Sequence, residues 1–201
     1  MAFLDTITIP AHHNIYNGYN ERNLRIDFAI PDEGTNEDTG VFIFVPGFGG
    51  HIDSNVYKKM RSQFADQYNV VTVQCDYFGS RFMQGASNIN ILIDSFENVL
   101  TKEDFYLIQH DKSKMLEVIS KYPATFSTLA VISENENEFA DMGFMQAIDI
   151  ITAIEAIKIL LKENQLYFNE NRVIGFGHSH GAYILHLANV LAPHLFSLII
   201  D

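Results

Sequence analysis

The stretch Arg172–Leu191, RVIGFGHSHGAYILHLANVL, decides the fold of this chain. The run at 172–176 is mostly apolar, which is typical of a strand buried inside a parallel sheet. The run at 182–191 is an apolar segment long enough for a helix. Only five residues separate the two runs, and two of these are glycines. The stretch therefore predicts a strand, a sharp turn centred on Ser179 and a helix.

The turn itself, Gly177-His178-Ser179-His180-Gly181, matches the pattern G-x-S-x-G. The pattern is weak alone, but a preceding strand and a following helix make it the signature of a nucleophile elbow. In such an elbow a strained backbone lifts the serine hydroxyl above the sheet edge, and small flanking residues avoid collisions. We therefore expect Ser179 to be a nucleophile supported by Gly177 and Gly181. The backbone N–H of His180, at the positive end of the helix, is a candidate oxyanion donor.

A second glycine-rich loop follows an earlier apolar run. Val41–Val45 (VFIFV) predicts a strand that is buried on both faces, and it leads directly into PGFGG at 46–50. Glycines allow a backbone to approach a ligand closely. We predict that the N–H of Phe48 is the second oxyanion donor, with Gly47 and Gly49 as supporting residues.

The rest of the chain predicts a doubly wound, mostly parallel α/β sheet with helices on both faces, in one domain spanning residues 1–201. Residues 84–140 interrupt the alternation of strands and helices, so we interpret them as an insertion or cap, either a lid or a simple cover. The other predicted elements are strands near Phe3–Pro10 and Asn23–Pro31, a helix over Asn55–Tyr68, a strand over Val70–Cys75, a helix over Gly143–Glu163 and a buried strand over Leu195–Ile200.

Composition excludes several functional classes. The formal charge of −12 would repel both a nucleic-acid backbone and an anionic membrane surface. No apolar stretch approaches the roughly 20 residues that span a bilayer, and the amino terminus does not look like a signal peptide. His178 and His180 flank the serine, but two histidines without a third ligand do not make a metal site. We expect a cytoplasmic protein with no metal and no organic cofactor, and its oligomeric state stays open.

Four stretches, in this order, resemble the α/β-hydrolase superfamily over roughly residues 40–201. The resemblance is to an esterase or prolyl-oligopeptidase-type serine hydrolase core, in a bacterial branch. Pro46 departs from the family pattern, since many members have the histidine of an HG dipeptide there. The stretches are VFIFVPGFGG, VVTVQCDYFGS, DMGFMQAIDIITAIEAIKIL and VIGFGHSHGAY.

The resemblance implies a triad in the order serine, acid, histidine. Asp201 closes the strand after the elbow helix and is either the acid or a turn or helix-cap residue. His180, His186 and His194 are the only histidines after Ser179, and we assign them surface or packing roles. The catalytic histidine is then expected beyond Asp201. On this view the chain is truncated at its carboxyl end and inactive by itself.

The resemblance implies a serine hydrolase or acyltransferase acting on an ester or similar small acyl substrate. Two alternatives stay open. One is a catalytically silent α/β-hydrolase fold that serves in binding. The other is a dinucleotide-binding protein, because Gly175, Gly177 and Gly181 follow a strand and Asp201 lies twenty residues further on. The dinucleotide interpretation leaves the PGFGG loop unexplained.

Overall fold

The computed structural model describes residues 1–14, 21–83, 89–123, 128–130, 134–139, 141 and 143–201. It divides into two compact units, one formed by residues 1–85 with 133–201 and the other by residues 86–132. The strands are β1 (Phe3–Pro10), β2 (Asn23–Ile30), β3 (Gly40–Val45), β4 (Val70–Cys75), β5 (Ile89–Ile91), β6 (Thr128–Ala130), β7 (Val173–Gly177) and β8 (Leu198–Ile200). The helices are α1 (Asn55–Tyr68), α2 (Ser80–Met83), α3 (Lys102–His110), α4 (Met115–Ile119), α5 (Phe144–Glu163) and α6 (His180–Leu191).

The larger unit is built on a six-stranded sheet with the strand order β1-β2-β4-β3-β7-β8. The β1 and β2 strands are antiparallel to each other, and β2 is antiparallel to β4. From there the sheet is parallel, since β3 runs parallel to both β4 and β7, and β8 runs parallel to β7. The predicted fold class, a mostly parallel α/β sheet, is confirmed. The carboxyl ends of β3, β4, β7 and β8 therefore meet at one edge of the sheet.

Helices cover both faces of this sheet, as the uninterrupted apolar run of β3 predicts. Alternate residues of a strand point to opposite faces. Val41 and Ile43 belong to the main core with residues of α5 and α6, whereas Phe42 and Phe44 pack with Tyr57 and Phe64 of α1. Burial on both faces explains why β3 contains no polar residue.

Helix α5 contains buried polar groups that its sequence does not distinguish from solvent-facing ones. Asp149 is fully buried and forms a two-pronged ion pair with Arg22, with the closest N–O distance at 2.7 Å. The same carboxylate accepts a 2.8 Å hydrogen bond from the backbone N–H of Phe78. Asp149 therefore links α5 to the residues just before β2 and just after β4.

The last strand differs from its prediction in extent and burial. The sequence predicts a buried strand over residues 195–200, but β8 covers only Leu198–Ile200. Leu198 and Ile200 are 52% and 40% exposed. Within the described sheet β8 is an edge strand with only β7 beside it, and this position explains the exposure. Helix α6 also begins two residues earlier than predicted, at His180.

The smaller unit, residues 86–132, has an apolar cluster of its own. Phe96, Leu100, Ile108 and Val118 form its buried centre. Strands β5 and β6 pair in antiparallel fashion, and Thr101 caps α3 by accepting a hydrogen bond from the N–H of Asp104. Nowhere in the described residues is there a helix with the length and apolar character to cross a bilayer.

Candidate active site

Ser179 occupies a strained turn between β7 and α6. Its backbone has φ 55° and ψ −119°, a combination that L-residues rarely adopt. The residue precedes the first residue of α6, and it is exposed. The sharp strand-to-helix turn predicted from the sequence therefore occurs at the predicted serine.

The two glycines of the turn are required by close backbone packing. A Cβ atom on Gly177 would lie 2.6 Å from the backbone nitrogen of Ala182, and one on Gly181 would overlap the carbonyl oxygen of Val45. Both obstacles are backbone atoms, which cannot swing aside as a flexible side chain can. Glycine at 177 and 181 lets β7, α6 and the end of β3 converge.

The glycine-rich loop at 46–50 lies directly against this turn. A Cβ atom on Gly47 would be 2.6 Å from the carbonyl oxygen of His178 and 3.0 Å from the Cβ of Ser179. The N–H of His178 also donates a 3.3 Å hydrogen bond to the carbonyl of Val45. The loop itself is a tight turn, closed by a 2.9 Å hydrogen bond from the N–H of Gly50 to the carbonyl of Gly47.

The two segments that meet at the serine each contain an unpaired backbone donor. Within the described residues, the N–H groups of Phe48 and His180 form no hydrogen bond. The Ser179 hydroxyl likewise has no hydrogen-bond partner in that part of the chain. Unpaired backbone N–H groups can donate hydrogen bonds to a negatively charged oxygen.

The side chain of His180 is turned into the protein. Its Nε2 donates to the Oε1 of Gln146 across 2.8 Å, because an amide oxygen can only accept. Burial lowers the pKa of His180 below its ordinary value of 6.5, and the charge of Asp141 opposes this effect. Burial therefore favours the neutral imidazole, and the hydrogen bond to Gln146 places its proton on Nε2.

The remaining candidate residues are not hydrogen-bonded to the serine, and His194 precedes β8 at the amino-terminal edge of the sheet. Asp201 follows β8, and its carboxylate is hydrogen-bonded to Nε2 of His186 at 3.1 Å. Both side chains are exposed. His194 is also exposed. Among the described residues no histidine is hydrogen-bonded to Ser179. The structure thus brings together Ser179, His180 and the 46–50 loop, and leaves Asp201 on His186.

Two residues near the site were missed by sequence reasoning. Gln146 in α5 contacts His180, and the hydroxyl of Tyr77 donates a 3.1 Å hydrogen bond to the carbonyl of Pro46. Tyr77 is the second residue after β4, and the turn DYFGS at the end of a parallel strand was the signal that could have pointed to it.

Two cavities open beside the carboxyl end of β4, and Asn23, Asp76 and Arg81 line both. The first has a volume of about 320 Å³ and also includes His51 and Asp53. The second has a volume of about 560 Å³ and extends to segments 21–22 and 135–138. Both are lined mainly by charged and amide side chains.

No cluster of three or more potential metal ligands occurs in the described part of the chain. The glycines behind the dinucleotide interpretation have packing explanations. A Cβ on Gly175 would lie 2.9 Å from the side chain of Leu185, and Gly177 and Gly181 are fixed by backbone contacts. Packing alone therefore explains why positions 175, 177 and 181 are glycines, without a bound phosphate group.

Comparisons with known proteins place these features in a family and a fold. The family model described as "Protein of unknown function (DUF2920)" matches residues 17–201. No functionally curated protein matches the sequence.

The similar solved structures include three proteins. A Bacteroides ovatus protein assigned as a dipeptidyl aminopeptidase IV has a TM-score of 0.53 and 15% identity, covering 99% of this chain and 21% of that one. The acylaminoacyl peptidase of Pyrococcus horikoshii has a TM-score of 0.51 and 14% identity, covering 98% and 22%. The dienelactone hydrolase of Anabaena variabilis has a TM-score of 0.47 and 15% identity, covering 98% and 62%.

The similarity to the first two structures, together with the sheet order, identifies the α/β-hydrolase fold. This chain spans only about a fifth of the length of the first two proteins.

Proposed function

Because this chain belongs to the family described as "Protein of unknown function (DUF2920)" and has the α/β-hydrolase fold, we propose that it carries the nucleophile and oxyanion donors of a serine hydrolase. The reaction is acyl transfer from an ester or similar acyl substrate to water. The alternative is a catalytically silent fold that binds a ligand without reacting.

One observation carries the proposal: Ser179 has φ 55° and lies against Gly47. A non-glycine residue in such a conformation costs on the order of 1–3 kcal/mol, so the surrounding packing must impose it. A serine hydroxyl lifted from a strand end toward a glycine loop is the geometry that nucleophilic acyl transfer needs.

In the proposed reaction, Ser179 Oγ attacks the carbonyl carbon and its proton passes to a general base. The carbonyl oxygen becomes an oxyanion and accepts hydrogen bonds from the backbone N–H groups of Phe48 and His180. Loss of one such donor typically costs roughly 3 kcal/mol of transition-state stabilisation. The tetrahedral intermediate then collapses: the bond to the alcohol oxygen breaks, the alcohol leaves with the proton held by the base, and an acyl-serine ester remains. Water attacks this ester after losing a proton to the same base, the bond to Ser179 Oγ breaks, and the carboxylic acid is released while the proton returns to the serine.

The general base is proposed to be a histidine outside residues 1–201. Two observations support this: no described histidine is hydrogen-bonded to Ser179, and His180 already donates its ring proton to Gln146. Asp201 remains a candidate acid, since it follows β8 at the carboxyl edge of the sheet. By themselves, residues 1–201 are expected to be inactive, because a serine without its base is a poor nucleophile.

The substrate is proposed to be small and hydrophilic. The two cavities beside β4 are lined by charged and amide side chains, which bind hydrogen-bonding groups better than alkyl chains. In the strand order of the sheet, β3, which leads into the 46–50 loop, lies between β4 and β7, which leads to the serine. We expect short or polar acyl esters to be turned over in preference to long-chain esters.

The test is labelling of the natural full-length protein with a fluorophosphonate probe. We expect covalent labelling that disappears in Ser179→Ala and persists in Ser54→Ala, whose side chain forms no capping hydrogen bond. A well-folded protein that takes up no probe would favour the silent fold. Titration with NADH addresses the dinucleotide alternative, because saturable micromolar binding would overturn the proposal.

A further inference from the structure

The two proposed oxyanion donors belong to different segments, so neighbouring residues must fix the position of one N–H group relative to the other. The N–H of Phe48 lies in the 46–50 loop, and that of His180 lies at the start of α6. A site of this kind works only when its donors are fixed to within about 0.5 Å of the productive geometry. Loops rarely achieve this without support from rigid neighbouring elements.

The 46–50 loop is held from the side of β4 by Tyr77. The ring of Tyr77 is 1% exposed, and its hydroxyl donates to the carbonyl oxygen of Pro46 at 3.1 Å. That oxygen belongs to the peptide unit that leads into Gly47, one unit before the N–H of Phe48. Burial raises the pKa of Tyr77, so the hydroxyl keeps its proton and remains a donor.

The start of α6 is held from the side of α5 by Gln146. Gln146 is 2% exposed, and its Oε1 accepts the Nε2 proton of His180 at 2.8 Å. The amide nitrogen of Gln146 lies beside Gly79, where an added Cβ would be 3.3 Å away. Gly79 also has φ +73°, so a side chain there would be strained as well as crowded.

Both supports converge on the turn that follows β4. Tyr77 and Gly79 belong to it, and the Asp149 carboxylate of α5 fixes it by accepting the N–H of Phe78 at 2.8 Å. This turn therefore contains Tyr77, which supports the first donor, and its Gly79 lies beside Gln146, which supports the second. The Tyr77–Pro46 and Phe78–Asp149 hydrogen bonds are buried and therefore shielded from competition with water, and the His180–Gln146 hydrogen bond is partly buried.

We propose that Tyr77 and Gln146 are positioning residues of the oxyanion site, Tyr77 for the N–H of Phe48 and Gln146 for the N–H of His180. The inference rests on the proposed function. It assigns a role to the turn after β4, which touches neither the nucleophile nor the reacting carbonyl.

The first test substitutes Tyr77 with phenylalanine in the full-length protein. The variant keeps the ring and loses only the hydroxyl that holds Pro46. We expect roughly a tenfold lower second-order rate of fluorophosphonate labelling, less than the loss of a whole donor. With p-nitrophenyl acetate as substrate, kcat should fall by a similar factor while KM changes little, because the oxyanion contact forms only in the transition state.

The second test replaces Gln146. Gln146→Leu removes the acceptor for His180, and we expect a similar tenfold fall in the labelling rate. Gln146→Glu retains an acceptor oxygen and should restore most of the rate. The rescued variant should also gain a pH dependence, because a carboxylate beside His180 favours its protonated form.

The matched control is Tyr122→Phe. Tyr122 also donates its hydroxyl across 2.6 Å, in this case to Asp104 in the smaller unit. We expect its labelling rate to equal that of the unmodified protein. If Tyr77→Phe lowers only the unfolding temperature and labels at the normal rate, the positioning role is wrong. If the unmodified protein takes up no probe at Ser179, the proposed function fails instead.

Discussion

At the residue scale, the strained backbone of Ser179 is a feature that stability alone does not explain. Its φ of 55° and ψ of −119° would suit glycine, yet the position carries a hydroxyl. Strain of this kind persists only where the surroundings impose it. Here those surroundings are the glycine contacts at 177 and 181 and the adjacent Gly47.

The strain predicts an unusual stability order among Ser179 variants. We expect Ser179→Gly to be about 1 kcal/mol more stable than Ser179→Ala, because glycine adopts this conformation without a Cβ penalty. Urea unfolding monitored by circular dichroism measures the difference. Ser54 is the control, because its φ of −58° is ordinary and its glycine variant should be the less stable one. If the glycine variant were more stable than the alanine variant at both serines, or less stable at both, the backbone of Ser179 would not be strained.

At the element scale, buried ion pairs tie together strands and helices that the sheet alone does not connect. Arg22 precedes β2 and pairs with Asp149 of α5, and Arg61 of α1 pairs with Asp27 of β2 at 3.0 Å. Breaking a buried pair by removing one partner is costly, because the other charge stays buried and uncompensated.

The first element-scale prediction concerns Arg22→Met. Asp149 is fully buried, so loss of its partner should lower the free energy of unfolding by about 3–5 kcal/mol. Chemical denaturation measures this loss. The control is Lys114→Met, which breaks an exposed pair with Glu117 and should cost less than about 1 kcal/mol. Equal costs for the two variants would show that the Arg22 pair is not buried in solution.

The second element-scale prediction is a pH dependence at the junction of β2 and α1. Hydrogen bonding to Arg25 lowers the pKa of Asp53 from 3.8 to about 2. The folded state therefore favours the ionised carboxylate, and this contribution is complete above pH 4 and lost as the pH falls through 2. We expect Asp53→Asn to flatten that part of the stability curve, measured by urea unfolding between pH 6 and pH 2. An unchanged acid slope would contradict the assignment.

At the scale of the whole molecule, the two compact units have separate apolar cores. The core of the sheet unit includes Ile154 of α5, and the cluster of the smaller unit is centred on residues such as Ile108. We propose that residues 84–140 are an insertion or cap within a single domain that spans residues 1–201.

Separate cores predict that the units lose structure independently. A charge placed in either core cannot be solvated without unfolding it. We expect Ile108→Asp to remove protection from amide exchange within residues 86–132 only, and Ile154→Asp to unfold the six-stranded unit. Hydrogen exchange followed by mass spectrometry locates the effect. Loss of protection throughout the sheet in Ile108→Asp would show that the units fold as one.

The sequence alone determined the order and type of the main elements and the position of the turn at Ser179. These features depend on local patterns: apolar runs, short strand-to-helix spacing and glycines next to a serine. The expected contact between the 46–50 loop and the turn also follows from sequence, because carboxyl ends of parallel strands share one edge.

Only the tertiary structure decided which distant side chains meet. Tyr77 with Pro46, Gln146 with His180, and Arg22 with Asp149 are 31, 34 and 127 residues apart in the chain. No periodicity encodes such pairs, because they depend on how the sheet order brings separate segments together. For the same reason the polar residues of α5 could not be divided by sequence into buried and exposed ones, although Gln146 and Asp149 are buried and Glu155 is not.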